Sequence, residues 1–174
     1  MQTDTHISSS ETIIYSKTKS FIKLTKFTLS ALVVFSAIIT FFTVAETYNW
    51  KQVLAICLGG FLVTAAANGF NQIIEKDLDK LMHRTKLRPI PTGNLTVNQA
   101  FVICAIFGII GTIMLWVFTN PLSGIIGFVS IILYALVYTP LKRVTPFSVF
   151  IGAIPGALPT LIGAIAATDG FGHI

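Results

Sequence analysis

The sequence predicts an all-α, polytopic membrane protein, a helical bundle with about five transmembrane helices. Of its 174 residues, 53% are hydrophobic and only 11% are charged, and the mean hydropathy is +0.79. Ordinary soluble domains are markedly less apolar. Five apolar runs reach the length of about 17 to 25 residues that crosses the hydrocarbon core as a helix. Backbone groups in hydrocarbon must be paired within their own segment, which favours helices over other structures.

The predicted spans follow one another with short polar connections, at residues 27–45, 53–74, 100–119, 122–139 and 147–167. About 26 mostly polar residues precede the first span and no clean small-residue cleavage pattern follows it, so we expect this span to be a mature helix and not a signal peptide. We expect residues 1–22 to form a disordered cytoplasmic tail. Residues 23–174 then form one partial transmembrane domain.

The distribution of Lys and Arg predicts the orientation. Eleven of the twelve lie within residues 17–26, 76–88 and 142–143, and Lys51 is the exception. Because Lys and Arg are retained on the cytoplasmic side, the N-terminus and both basic loops are expected inside, in the inner (cytoplasmic) membrane. The net charge of +5 is then an orientation signal. No basic patch with interleaved aromatic residues accompanies it, so nucleic acid is not expected as a partner.

A polar stripe leaves the second span. At 100° per residue, Asn68, Asn71, Glu75 and Asp79 fall within an arc of about 80°, whereas Asp77 points elsewhere. These groups could be solvated charges at a helix end, but amides inside an apolar span are costly and usually functional. The two carboxylates supply the hard oxygen ligands that Mg²⁺ takes together with substrate phosphates. The stripe therefore predicts a magnesium site.

The segment RTKLRPIPTG at 84–93 is expected to be an ordered loop, because its prolines and glycine oppose a helix. Arg84, Lys86 and Arg88 either anchor the loop at the membrane surface or neutralise a diphosphate, which Arg grips bidentately. With carboxylates for a metal and an adjoining apolar groove, the pattern indicates a lipid with a diphosphate head. Its chemistry is ionisation of an allylic C–O bond, with the leaving charge stabilised by metal and Arg.

Two stretches resemble the UbiA superfamily of intramembrane prenyltransferases. NQIIEKDLD at 71–79, followed by RTKLRPIPTG, resembles its first acidic motif, N-xxx-D/E-xxx-D. YTPLKRVTPF at 138–147, followed by IGAIPGALPTLIGAIAAT, is similar to the branch of the family whose acceptor is haem. The resemblance covers most of residues 20–168.

The resemblance implies that Asn71, Glu75 and Asp79 are catalytic and hold Mg²⁺ on farnesyl diphosphate. The substrate-binding residues are then Asn68, Arg84, Lys86, Arg88, Tyr138, Lys142 and Arg143. A vinyl group of haem b (protohaem IX) attacks the farnesyl cation, and water completes the side chain of haem o. Farnesyl diphosphate and haem b are the implied substrates, the lipid bilayer is the environment, and haem A synthase or a terminal oxidase assembly factor is a candidate partner.

The chain also departs from the family pattern. The family has about nine helices and a second acidic motif, so we expect this chain to be an N-terminal half that is inactive alone. A TKPR-like stretch usually enters the first helix, where this chain has LTKFT at 24–28, and these residues are not counted in the site. His83 could ligate haem, but a lone loop histidine is more often solvated.

Two other functions stay open. A related enzyme could use an aromatic or quinone-precursor acceptor, although the 138–147 stretch favours haem. Alternatively, the chain could be half of a transporter, whose site would lie near the bilayer midplane on broken helices. The acids lie at one end of a span, which favours the enzyme.

Overall fold

The computed structural model describes residues 9–168, and their side chains from residue 17 onwards, and every regular element in this part is a helix. The helices are α1 (Ser9–Thr25), α2 (Phe27–Val44), α3 (Trp50–Ile74), α4 (Lys76–Leu81), α5 (Val97–Phe118), α6 (Pro121–Ile132), a π-helical segment (Leu133–Tyr138), α7 (Thr139–Leu141) and α8 (Ser148–Thr168). The predicted all-α class is confirmed.

Five helices within the described residues are long and apolar enough to cross a membrane. They are α2, α3, α5, the continuous stretch Pro121–Leu141 and α8. Each begins and ends within three residues of a predicted span. The prediction of a multi-pass membrane protein with five spans is therefore confirmed.

The segment 1–22 differs from the predicted disordered tail, because its part from Ser9 onwards belongs to helix α1. The first eight residues lie outside the described part. Near the end of α1, Ser20 and Leu24 are buried, and the Phe21 ring contacts Phe107 of α5 edge to face with centroids 5.6 Å apart. These few residues give an otherwise polar segment a surface that packs on the bundle.

Helix α3 lies at the centre of the bundle. In an 18-residue apolar stretch of α3, 56% of the residues are buried, whereas the corresponding share is 17–39% in the other spans. Its residues Val63 and Ala66 join a core cluster with Leu115, Ile131 and Ile162 from the neighbouring spans. The polar groups that α3 carries are thereby held away from lipid.

Close approach between helices depends on glycines. A Cβ at Gly111 of α5 would lie 2.8 Å from the carbonyl oxygen of Gly59 on α3. A Cβ at Gly163 of α8 would overlap the carbonyl oxygen of Ala37 on α2. Small residues at such contacts let membrane helices pack backbone against backbone. These two contacts hold α5 against α3 and α8 against α2.

The substitution Gly163→Ala tests this packing. The added methyl group would force α8 away from α2, and we expect the free energy of unfolding to fall by about 1–3 kcal/mol. Gly156→Ala on the same helix is the matched control, because nothing lies within 4 Å of its added Cβ. Unfolding in detergent would be measured for both variants, and an equal loss in both would contradict the close α2–α8 contact.

Candidate active site

The polar stripe runs along the end of α3 and into α4, and it is buried. Asn68 and Asn71 lie on α3, Glu75 directly follows its last residue, and Asp79 lies in α4. Glu75 has 8% of its surface exposed, and each of the other three residues has 2% or less. The Glu75 N–H donates to the Asn71 carbonyl (3.0 Å) and the Asp79 N–H to the Glu75 carbonyl (2.8 Å). This helical course through Glu75 keeps the four side chains together, whereas the Asp77 side chain is 76% exposed.

Two cations meet the carboxylate pair. Nη1 of Arg88 lies 2.6 Å from Oδ2 of Asp79 and 4.0 Å from Oε2 of Glu75. Nζ of Lys142 lies 2.8 Å from Oε1 of Glu75. The site thus joins the end of α3 and α4, the following loop, and the end of α7. Two negative and two positive side chains balance in formal charge.

The loop after α4 brings Arg88 to the carboxylates. Thr85 is buried and its hydroxyl donates to the Asp79 carbonyl at 3.2 Å, while the Arg88 N–H donates to the Thr85 carbonyl at 2.9 Å. Beyond Arg88, Ile90 packs with Leu24 in a small core cluster. The loop is therefore anchored on both sides of Arg88, and its course is a series of hydrogen-bonded turns.

The other charged loop residues stay apart from the carboxylates. Arg84 and Lys86 are exposed, and within residues 17–168 neither forms an ion pair with Glu75 or Asp79. His83 is exposed as well. Of the three predicted loop cations, the structure thus brings only Arg88 to the carboxylate pair.

The end of the fourth span holds the Asn71 amide in place. Nδ2 of Asn71 donates to the Thr139 hydroxyl at 2.8 Å, and that hydroxyl donates to the Tyr134 carbonyl at 2.8 Å. This carbonyl belongs to the π-helical segment, a distortion that is frequent at functional sites. This hydrogen bond uses one N–H of the Asn71 amide and leaves its carbonyl oxygen available to a ligand. Thr139 had no signal in the sequence beyond its place in the 138–147 stretch.

The remaining residues of that stretch surround Lys142. The Tyr134 and Tyr138 rings stack with centroids 5.5 Å apart, and Nζ of Lys142 lies 5.4 Å from the Tyr138 ring centroid. Nη2 of Arg143 donates to the Ile74 carbonyl at 2.9 Å, at the last residue of α3. Arg143 therefore ties the end of the fourth span to α3 and does not contact the carboxylates directly.

Lys26 is a third cation near the site, and it lies in the LTKFT stretch at 24–28 that was not predicted to belong to the site. It adopts a left-handed conformation (φ 46°, ψ 55°) at the corner between α1 and α2. Burial, together with the charges of Arg88 and Lys142, lowers the pKa of Lys26 from 10.5 to about 8, against the opposite effect of Glu75 and Asp79. The wholly buried Gln72 holds this corner, because its Nε2 donates to the carbonyls of Lys23 (3.1 Å) and Leu24 (2.8 Å).

An apolar cavity of about 280 Å³ begins where the stripe begins. Its walls come from α2, α3, the fourth span and α8, and its few polar groups include Asn68, Ser130 and Tyr134. Nδ2 of Asn68 donates to the Ser30 hydroxyl at 3.4 Å, and its buried Oδ1 has no hydrogen-bond partner among the described residues. Buried polar atoms are seldom left unpaired. The cavity thus offers an apolar space with one acceptor at its wall, about two helical turns before Glu75. Glu75 belongs to the charged cluster, which consists of Glu75, Asp79, Arg88 and Lys142.

The donor set fits a divalent metal only in part. Two carboxylates and the Asn71 amide oxygen are hard ligands of the kind that Mg²⁺ binds. Among the described residues no group of three or more His, Cys, Asp or Glu side chains could hold a metal ion. Since Mg²⁺ is usually bound by one or two carboxylates together with substrate phosphates, these residues fit an ion that a phosphate helps to hold.

The lowered pKa of Lys26 predicts a pH dependence of stability. Between about pH 8 and pH 10.5 the unfolded chain binds more protons than the folded chain, so the free energy of unfolding rises with pH in this window. The penalty for burying the charged lysine is fully present below pH 8. We expect a smaller rise in Lys26→Met, measured by chemical unfolding in detergent from pH 7.5 upwards. Lys51→Met, which also removes one lysine, is the control, and equal flattening in both variants would contradict the assignment.

Comparison with known proteins places the chain in a family. Residues 20–173 match the UbiA prenyltransferase family. The protoheme IX farnesyltransferase of Christiangramia forsetii is 45% identical over 151 residues, which are 87% of this chain and 50% of that protein. Those of Flavobacterium psychrophilum (46% over 155 residues) and Cytophaga hutchinsonii (43% over 158 residues) match 87% and 90% of this chain, and 51% and 55% of their own lengths.

A solved structure shows the same fold. The structure described as digeranylgeranylglyceryl phosphate synthase in membranes superimposes with a TM-score of 0.79 at 23% identity, covering 87% of this chain and 53% of that one. The chain spans about half the length of the curated relatives that it matches. On the match over residues 20–173, the chain belongs to the UbiA prenyltransferase family.

Proposed function

We propose that the chain contributes to the active site of an intramembrane prenyltransferase, which moves a farnesyl group from farnesyl diphosphate to a vinyl group of haem b and so makes haem o. One observation carries the proposal. A buried carboxylate pair, Glu75 and Asp79, faces Arg88 and Lys142 beside an apolar cavity. The names of the three curated relatives described above support the choice of donor and acceptor.

The diphosphate head of the donor binds at the charged cluster. When bound by Asn71, Glu75 and Asp79, Mg²⁺ supplies positive charge to the leaving diphosphate. Arg88 and Lys142 add two further positive charges where negative charge develops, which is how preorganised groups lower such a barrier. We assign Arg84 and Lys86 to the approach of the diphosphate from solvent, because both are exposed.

The chemistry then needs little acid–base assistance. The allylic C–O bond breaks, and its electron pair leaves with the diphosphate. The farnesyl cation is attacked by the π electrons of the vinyl group, and the cation that this leaves on the porphyrin side chain takes up a water oxygen and loses a proton. We assign substrate binding also to Asn68, which lies in the cavity wall, and to Tyr138, whose ring lies beside Lys142. The apolar cavity wall excludes bulk water from the farnesyl cation, which would otherwise react with it.

We place the site on the cytoplasmic side of the inner membrane, with the N-terminus cytoplasmic. The carboxylate pair lies at the ends of spans whose connecting loops carry most of the Lys and Arg residues, and such loops stay inside. Haem A synthase, or an assembly factor of a terminal oxidase, is a candidate partner that would receive the product.

Activity measured on the complete reading frame that contains this chain tests the proposal. Membranes would be incubated with haem b, farnesyl diphosphate and Mg²⁺, and the haems separated by mass. We expect haem o from the unaltered protein, and a loss of about 10²-fold or more in Glu75→Gln and Asp79→Asn, as for other groups that stabilise developing charge. Asp77→Asn is the matched control, because its exposed side chain faces away from the cluster.

The acceptor and the site are tested separately by this design. Farnesyl transfer to an aromatic acceptor instead of haem b would reassign the acceptor and keep the site. An Asp77→Asn variant that loses as much activity as Asp79→Asn would contradict the assignment of the carboxylate pair.

A further inference from the structure

Arg88 and Lys142, the two cations of the cluster, form ion pairs with the same carboxylate oxygens that a metal ion would need as ligands. Lys142 contacts Oε1 of Glu75 at 2.8 Å, and Arg88 contacts Oδ2 of Asp79 at 2.6 Å. Both are short charge-assisted contacts of the strong kind. The side chains are partly withdrawn from water, with 11% of Glu75, 3% of Asp79, 19% of Arg88 and 30% of Lys142 exposed. The carboxylates are therefore neutralised by the protein itself.

The charge balance decides what the site can accept. A divalent cation alone would add two positive charges to a neutral, partly buried cluster, beside the additional cation Lys26. A diphosphate alone would draw Arg88 and Lys142 away and leave two buried carboxylates unpaired. Either outcome is costly where water screens poorly. When both arrive, the metal neutralises the carboxylates and the diphosphate neutralises the released cations.

We propose that Arg88 and Lys142 are exchangeable counter-ions, so that a divalent cation and a diphosphate bind this site together and neither binds well alone. This inference rests on the diphosphate site of the proposed function. Arg88 suits the exchange, because its planar fork matches a carboxylate and a phosphate equally. Lys142 suits it because its flexible stem can turn from Glu75 to a phosphate with little rearrangement of the backbone.

Metal binding can be measured without catalysis. The chain in detergent micelles would be titrated with Mn²⁺, which substitutes for Mg²⁺ and is followed by electron paramagnetic resonance, with and without inorganic pyrophosphate. Protein-bound Mn²⁺ is separated by equilibrium dialysis from the complex that forms in solution. We expect the apparent Kd of Mn²⁺ to fall about tenfold or more with pyrophosphate, and that of pyrophosphate to fall by the same factor with Mn²⁺, since such coupling is reciprocal.

Removing one counter-ion should uncouple the two ligands. In Lys142→Gln, Glu75 loses its partner, so Mn²⁺ alone should bind more tightly and the effect of pyrophosphate should shrink. Lys80→Gln is the control, because it removes the same charge from an exposed lysine that pairs with Asp77 at 3.6 Å. Lys142→Met is a second variant in case Lys142→Gln does not fold, as judged by circular dichroism.

The outcomes separate this inference from the proposed function. Tight binding of Mn²⁺ to the unaltered chain without pyrophosphate, no binding of Mn²⁺ to the folded chain with pyrophosphate, or equal behaviour of the Lys142 and Lys80 variants would overturn the counter-ion exchange. Haem o production would be untouched by the first and third of these results. Conversely, cooperative Mn²⁺ and pyrophosphate binding in a protein that makes no haem o would keep the inference and remove the proposed reaction.

Discussion

The ion pairs of Glu75 with Lys142 and of Asp79 with Arg88 are the constraint on which the rest of the site depends. They join the end of α3 and α4 to the loop that directly follows and to the end of the fourth span, which is distant in sequence. Two carboxylates buried without these cations would be strongly disfavoured. The loop after α4 and the distorted end of the fourth span therefore each supply a charge that the buried carboxylates require.

The packing of the helices sets where this charge can lie. Glycine contacts bring α5 against α3 and α8 against α2, while a cavity stays open between α2, α3, the fourth span and α8. The polar stripe begins at Asn68 in the cavity wall and ends at Asp79 in the charged cluster. The stripe thus connects an apolar space to an ionic site, which is the arrangement that a lipid with a charged head requires.

The structural features that repeat with a regular period could be predicted from the sequence. The contacts that depend on the course of a loop could not. The five spans follow from the length of apolar runs, and the common face of Glu75 and Asp79 follows from helical spacing. Arg88, and not Arg84, reaches the carboxylates because of the turns after α4, which are anchored by buried Thr85. These turns follow no regular period in the sequence. Lys26 was left out because LTKFT departs from the family's TKPR-like pattern, and the left-handed corner that brings it near the site depends on Gln72 of a different helix.

A double-mutant cycle tests the central claim, that the carboxylates and cations form one coupled unit. The free energy of unfolding in detergent would be measured for the unaltered chain, Glu75→Gln, Lys142→Gln and the double variant. If the pair is coupled, each single substitution leaves a charge unpaired, and the double variant loses less than the sum of the two losses by about 1 kcal/mol or more. Losses that add to within about 0.5 kcal/mol would contradict the account, because the two residues would then act independently.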